Sequence, residues 1–260
     1  MPGWATELKS ETLAAFDRYV KISEAQMNEE PRDQKFLIVD RLPESQRQTV
    51  YEQLQHGQTF IQELHTLEGH QAIRIPSGMV HHWAGVIFIP KAKLSEVNAV
   101  LQDYQNEASI YKPEIRKAKL IEQHGNESKI FLQMYTKSII TVVLNGYFDV
   151  IETPIGNTRF ESASHSTRIA EVANPGGPDE REIPEAQSYG YMWRLSSYWR
   201  IEEKDGGVYV QNESITLTRT VPVLLAWLIN PLTKSIPRDV IVHMLTDTQA
   251  AVSRAGKDPK

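Results

Sequence analysis

From Tyr191 to Ile201 the chain alternates in step. Tyr191, Trp193, Leu195, Ser197, Trp199 and Ile201 fall on one side; Met192, Arg194, Ser196, Tyr198 and Arg200 fall on the other. This is the period-two pattern of a strand with one mainly apolar face. Lys204-Asp-Gly-Gly turns the chain and residues 208–219 return, so the segment predicts a hairpin. Upstream, strands are expected over 116–123, 129–137, 139–152 and 158–172, with HGNE at 124–127 and PIGN at 154–157 as the turns. The stretch SGMVHHWAGVIFIP, 77–90, predicts a strand over 80–89. Its near-continuous apolarity implies that both faces are covered.

Helical spacing governs the ends of the chain. Leu13, Phe16, Val20 and Met27, with Tyr19 beside them, make one apolar stripe over residues 6–30, closed by Pro31. Pro43 opens a second helix to His56, with Val50, Tyr51 and Leu54 inward and Gly57 as the stop. Between the two, FLIV at 36–39 is a short strand candidate, and 60–66 with 71–75 suggests a hairpin about residues 67–70. A third helix is expected over 92–111 from Leu94, Val97, Val100, Leu101 and Tyr104, ended by way of Pro113. At the C-terminal end, Pro222 and Pro237 each suit a first helical turn, and Asn230-Pro231 is expected to break the helix between them. Ile241, Met244, Leu245, Thr248 and Val252 share one face of the last helix, opposite Asp239, His243 and Asp247.

The order is strand, helix, several hairpin-connected strands, then a long terminal helix. That predicts an α+β architecture with an antiparallel sheet whose apolar face the terminal helix covers. The Pro/Gly/acid-rich segment at 174–187 is too long for a tight connection and reads as a lid or a surface insertion.

Composition narrows the picture. The chain has 260 residues, 40% hydrophobic and 23% charged, enough for a substantial core and too apolar for general disorder. Net charge is −5, with no basic stripe of the kind nucleic acid requires, so no nucleic-acid partner is expected. There are no cysteines, which excludes disulfides and thiolate metal sites. No run approaches the ~20 apolar residues of a membrane span; the nearest, VPVLLAWLINPL at 221–232, is too short. A soluble, cytoplasmic protein is the default expectation, and an exported one if a leader preceded this sequence.

The pieces VIFIPKAKLSEVNAVLQDY, YKPEI, YWRIEEKDGGVYVQNESITLTR and IPRDVIVHMLTDTQAAV resemble the START-like superfamily, also called SRPBCC or polyketide cyclase/dehydrase-like. The resemblance covers residues 80–255, about two thirds of the chain, and leaves 1–79 as an N-terminal helix-rich extension packed on that core. It implies the helix-grip fold: a curved antiparallel sheet around a long C-terminal helix, with an apolar cavity between them. Members bind lipids, sterols or polyketides, and some are cyclases or aromatases. The superfamily has no universal catalytic motif, and fold alone does not choose among these activities.

Candidate chemistry is sparse. Adjacent residues on a strand point to opposite faces, so His81 and His82 cannot ligate one metal together. His82 shares its alternation with Val86 and Phe88 and is a weak candidate lining residue. His243 between Asp239 and Asp247 reads as a solvated set of charges. In ESASHSTRIAEV, simple alternation places Ser164, Ser166 and Arg168 together; if that face points inward, Arg168 suits a ligand carboxylate or phosphate. Glu213 alternates with Tyr209, Ile215 and Leu217, and a buried carboxylate there is a candidate acid/base. No G-x-S-x-G, HExxH, EF-hand or phosphate-binding glycine loop occurs. Given an apolar cavity, the expected ligand-binding residues are Trp193, Leu195, Trp199, Glu213, Arg168, Tyr147 and Trp227, with no catalytic residue, metal or cofactor. The expected function is binding, with transport as an extension of it, of a hydrophobic lipid-like small molecule between sheet and C-terminal helix, gated near 221–236. A polyketide-type cyclase or dehydratase, and an interaction protein with a filled core, are the alternatives.

Overall fold

The structure, a computed structural model, describes residues 8–29, 35–137, 141–220 and 223–255, and for 223–235 the helical backbone only. It is α+β. A large curved antiparallel sheet runs in the order β1-β4-β11-β10-β8-β7-β6-β5. Its strands are β1 (Phe60–Glu63), β4 (Gly78–Pro90), β5 (Ile115–His124), β6 (Glu127–Lys137), β7 (Thr141–Ile155), β8 (Arg159–Ala173), β10 (Arg194–Lys204) and β11 (Gly207–Arg219). The two-residue strands β2 (Leu67–Glu68) and β3 (Gln71–Ala72) pair with each other, and β9 (Arg181–Glu182) pairs with the end of β8.

The α5 helix, Val223–Ala255, covers one face of this sheet, which is the helix-grip arrangement. Its C-terminal half seals one end of that face: Ile241, Leu245 and Val252 pack with Ile87, Ile89, Phe160, Ile201, Val208 and Val210. Closure is tight at Gly85. A Cβ placed there would lie 2.5 Å from Ile61 and 2.8 Å from both Ile241 and Leu245, so the helix crosses β4 where there is no side chain to hold it off.

The opposite face is covered by the N-terminal segment. Helix α1 (Ser10–Met27) sets Phe16, Tyr19, Val20 and Met27 against Tyr198, Ile215 and Leu217. Phe36, Leu37 and Val39, with Leu54 of α2 (Glu44–Gln55), close over Val86, Phe88 and Tyr209. The central strands are therefore apolar on both sides, as the unbroken run in β4 implied.

Several local expectations change. Residues 36–39 make no strand: Leu37 N–H donates to Asp40 Oδ2 at 2.8 Å and Ile38 N–H to Gln211 Oε1 at 2.7 Å, and a 3₁₀ turn, Ile38–Arg41, follows. The expected hairpin of 60–66 with 71–75 does not form. Phe60–Glu63 pairs with β4 instead and becomes an edge of the main sheet. The single helix expected over 92–111 is two, α3 (Leu94–Leu101) and α4 (Glu107–Ile110), separated by a turn in which Asn106 donates to Asp103. Helix α5 runs unbroken through Asn230-Pro231 and Pro237. Each proline forfeits one backbone hydrogen bond, and the remaining bonds carry the helix across. Pro31 and Pro222 lie outside the described residues.

Candidate functional site

Among the described side chains, those of the C-terminal half of α5 seal one end of the face beneath it. Val208, Val210 and Ile201 are fully buried there. Along the same strands towards the other end, Trp83, Leu195, Ser197, Trp199, Ser214 and Thr218 are only half-buried, although β4, β11 and β10 are interior strands. The neighbouring strand continues the surface with Ser162, Ser164 and Ser166, and β6 adds Leu132 and Met134, all half-buried. Register places these together: Trp83 lies opposite Ser214, Trp199 opposite Ser162, and Ser197 opposite Ser164 and Ser214. The result is a row of hydroxyls flanked by indoles and aliphatic side chains.

His81 borders this surface. Its Nε2 lies 3.1 Å from Thr218 Oγ1, and burial holds its pKa below the usual imidazole value, partly opposed by Glu63. Burial thus favours the neutral imidazole. Glu152 sits at the far end of the same face, occupied by Tyr104 Oη at 2.5 Å and Gln102 Nε2 at 2.8 Å.

Six of the seven expected ligand residues have described side chains, and these do not gather at one place. Leu195 and Trp199 lie on the face beneath α5. Trp193 packs with Phe16, Tyr19 and Leu217 under the N-terminal segment. Tyr147, Arg168 and Glu182 form a surface group in which Arg168 is paired with Glu182, which also accepts from Tyr147 Oη at 3.1 Å. Arg168 departs from the serines because β8 carries a bulge beside Thr167: Phe148 pairs with Ser166 but Tyr147 with Arg168, and the extra residue reverses the alternation. Glu213 is buried beneath the N-terminal segment. The side chain of Trp227, and the segment 221–236 as a gate, lie outside the described side chains up to residue 235. His243 is half-exposed and bonded to Glu114 Oε1 at 2.5 Å rather than to Asp239 or Asp247.

Residue reading missed the partner of Glu213. His82 Nε2–H donates to Glu213 Oε1 at 2.8 Å, with both side chains about 5% exposed. Tyr19 Oη faces His82 Nδ1 at 3.1 Å and accepts from the Thr66 backbone N–H at 2.9 Å. The two residues are separated by more than 130 positions, and only the β4–β11 register, with His82 opposite Ile215, brings them together. Their shared alternation with buried apolar neighbours was the one available signal. Among the described residues no group of three or more metal-ligating side chains gathers at one point, and no helix is long and apolar enough to cross a membrane.

No protein-family model matches the chain, and no curated protein matches it. Several solved structures are similar to it at low identity, aromatase/cyclases and START proteins among them. They include the Zhui aromatase/cyclase from Streptomyces sp. R1128, 12% identical over 68% of this chain and 96% of that one, with a TM-score of 0.48. A STAR-related lipid transfer protein from Xanthomonas axonopodis (fragment 25–204) is 13% identical over 74% and 98%, at 0.47. Human STARD10 is 10% identical over 83% and 84%, at 0.48. Identities this low bear on the path of the chain alone; what this chain binds has to be argued from its own residues.

Proposed function

We propose that the chain binds a small amphipathic, lipid-like molecule on the face beneath α5. One observation carries this reading. Trp83, Leu195 and Trp199 remain half-exposed on interior strands where α5 buries Ile87, Ile201, Val208 and Val210, and Leu132 and Met134 of β6 are half-exposed as well. Apolar surface left accessible inside a fold favours an apolar occupant, at roughly 25 cal/mol per Å² before association costs are subtracted. The serine row of β8 and β10 offers hydroxyls along one side of that surface, suited to an occupant with a few oxygen atoms on an apolar body. Leu195 and Trp199 are the wall residues in this reading.

The test is recovery of the ligand. Native mass spectrometry of the purified chain, with organic extraction, should show a bound amphiphile of uniform mass. A fluorescent fatty-acid analogue should bind saturably to ligand-stripped protein, and Leu195→Arg should weaken that binding by at least tenfold. No extractable ligand together with no saturable binding of the analogue would overturn the proposal.

His81 supports a second reading, a polyketide-type cyclase or dehydratase. A neutral imidazole at the border of an apolar site is a competent base for a proton next to a carbonyl. Turnover of a polyketide mimic that His81→Gln abolishes, with binding of the mimic retained, would establish it. Turnover unchanged in His81→Gln would remove it.

A further inference from the structure

The other face of the sheet holds a cavity of its own. It has a volume of about 220 Å³ and lies between α1, the 3₁₀ turn and β4–β11–β10. Its floor is polar and buried: His82, Gln211 and Glu213 are 5%, 1% and 4% exposed. Met27, Ile38, Leu42 and Leu64 form apolar walls, and Arg41 and His65 stand exposed at the rim. The space is several times the ~30 Å³ share of one water and below the roughly 300 Å³ of pockets for drug-sized ligands.

The floor carries a carboxylate whose described partners are the His82 imidazole and the Gln211 amide. Glu213 Oε1 accepts from His82 Nε2–H at 2.8 Å, and Oε2 from Gln211 Nε2 at 3.2 Å. Each carboxylate oxygen accepts two hydrogen bonds, so each keeps one acceptor position after these. His82 is in turn matched on its other nitrogen by Tyr19, so the donors that hold Glu213 are themselves held. The guanidinium of Arg200, which also lines the cavity, bonds Glu161 at 3.0 Å, the Phe36 carbonyl at 3.2 Å and Asn28 Oδ1 at 3.3 Å. A buried anion is costly unless a cation or several donors meet it. The short apolar walls above it select for a carbon chain that rises from the charge.

We propose that this cavity is a second ligand site, separate from the face beneath α5, and that it takes a small primary ammonium compound with a short apolar body. The ammonium group sits on the free acceptor positions of Glu213, and the carbon chain lies against Met27, Ile38, Leu42 and Leu64. Sodium and potassium satisfy the charge but not the walls. A carboxylate of the same length meets the walls but is repelled by the floor.

Isothermal titration of the full chain with n-butylammonium chloride, n-butanol and sodium butyrate at matched ionic strength tests the charge and the wall together. Saturable binding of butylammonium is expected, with butanol and butyrate at least tenfold weaker. Glu213→Gln should weaken butylammonium by at least tenfold, and Leu64→Trp, which fills the space without touching the floor, should do the same. Binding of a fatty-acid analogue to the α5 face should be unchanged in both variants. No saturable binding of butylammonium to the wild-type chain would overturn the proposal, as would butyrate binding as tightly or a Leu64→Trp variant that binds butylammonium like the wild type.

Discussion

His81 and His82, adjacent in the chain, serve opposite faces of one strand. The His81 ring meets Thr218 at 3.1 Å beneath α5, and the His82 ring meets Glu213 at 2.8 Å beneath the N-terminal segment. Strand geometry requires the split. It also means that one strand carries a titratable group into each of the two spaces that flank the sheet.

His81 should make stability fall in mild acid. Burial, its largest influence, lowers the folded-state pKa beneath the ordinary value of 6.5, and Glu63 partly opposes it. A group with a depressed folded pKa contributes stability that is complete above the unfolded pKa and lost as pH falls through the folded one. Urea midpoints should therefore drop as pH is lowered from 7.5 to 5. In His81→Gln the drop should be smaller over that interval. A variant whose midpoints track the wild type throughout would show that His81 does not contribute.

Glu107 should act in the other direction and at higher pH. It opens α4 almost fully buried, and burial with the nearby Asp103 charge pushes its pKa up to about 8. A raised folded pKa gives stability that is complete below the unfolded value of 4.5 and is lost as pH rises through 8. The carboxyl is thus protonated in the folded chain at neutral pH, and folding above pH 4.5 requires proton uptake. Glu107→Gln removes that requirement. It should be more stable than the wild type at pH 8 by about 1–3 kcal/mol and nearly equal to it at pH 5, measured by chemical denaturation.

Gly85→Ala should separate α5 from the sheet. The added methyl has Ile61 at 2.5 Å and both Ile241 and Leu245 at 2.8 Å, so three side chains in a packed core must move at once. Overpacking of this kind costs about 1–3 kcal/mol. The loss should appear as a lower melting temperature, with faster amide exchange in residues 241–252 than in α1. A stability equal to that of the wild type would show that the crossing is looser than the packing implies.

How far such features could be read in advance depended on their range. The hairpin of β10 and β11 and the strands β5 to β8 followed from alternation and turn residues, because period-two patterning and Gly/Asp turns are local. The terminal helix was visible from 237 onward, where Ile241, Leu245 and Val252 bury one face. Its continuation through Pro231 was not, because a proline signals a break unless packing and neighbouring bonds outweigh it. FLIV looked like a strand because its four residues are apolar; what decides its shape is Gln211, far along the chain, which takes the Ile38 N–H. Arg168 was grouped with Ser164 and Ser166 by an alternation that a single bulge reverses. Alternation puts Trp193, Leu195 and Trp199 on one face; Leu195 and Trp199 share it, but Trp193, just ahead of β10, packs on the other. The partnership of Glu213 with His82 exists only through strand register, with shared alternation as its one local trace.

Tyr19 links the N-terminal segment to this buried polar group, and its hydroxyl can be removed without altering its ring. Tyr19 is 6% exposed, and its Oη takes the Thr66 N–H at 2.9 Å while facing His82 Nδ1 at 3.1 Å. Tyr19→Phe keeps the apolar packing on Ile215 and Leu217 and leaves a buried backbone donor and an imidazole nitrogen without that partner. Loss of such bonds in a buried site costs about 1–3 kcal/mol. Because the ring stays in place, the loss should be confined to α1 and residues 64–66. Hydrogen exchange should quicken there while β10 and the C-terminal half of α5 keep wild-type protection. Binding of a fatty-acid analogue beneath α5 should be unaffected, since the hydroxyl lies on the opposite side of the sheet. Equal exchange in α1 of variant and wild type would mean that apolar packing alone fastens the segment; weakened binding beneath α5 would mean that the two faces of the sheet are coupled.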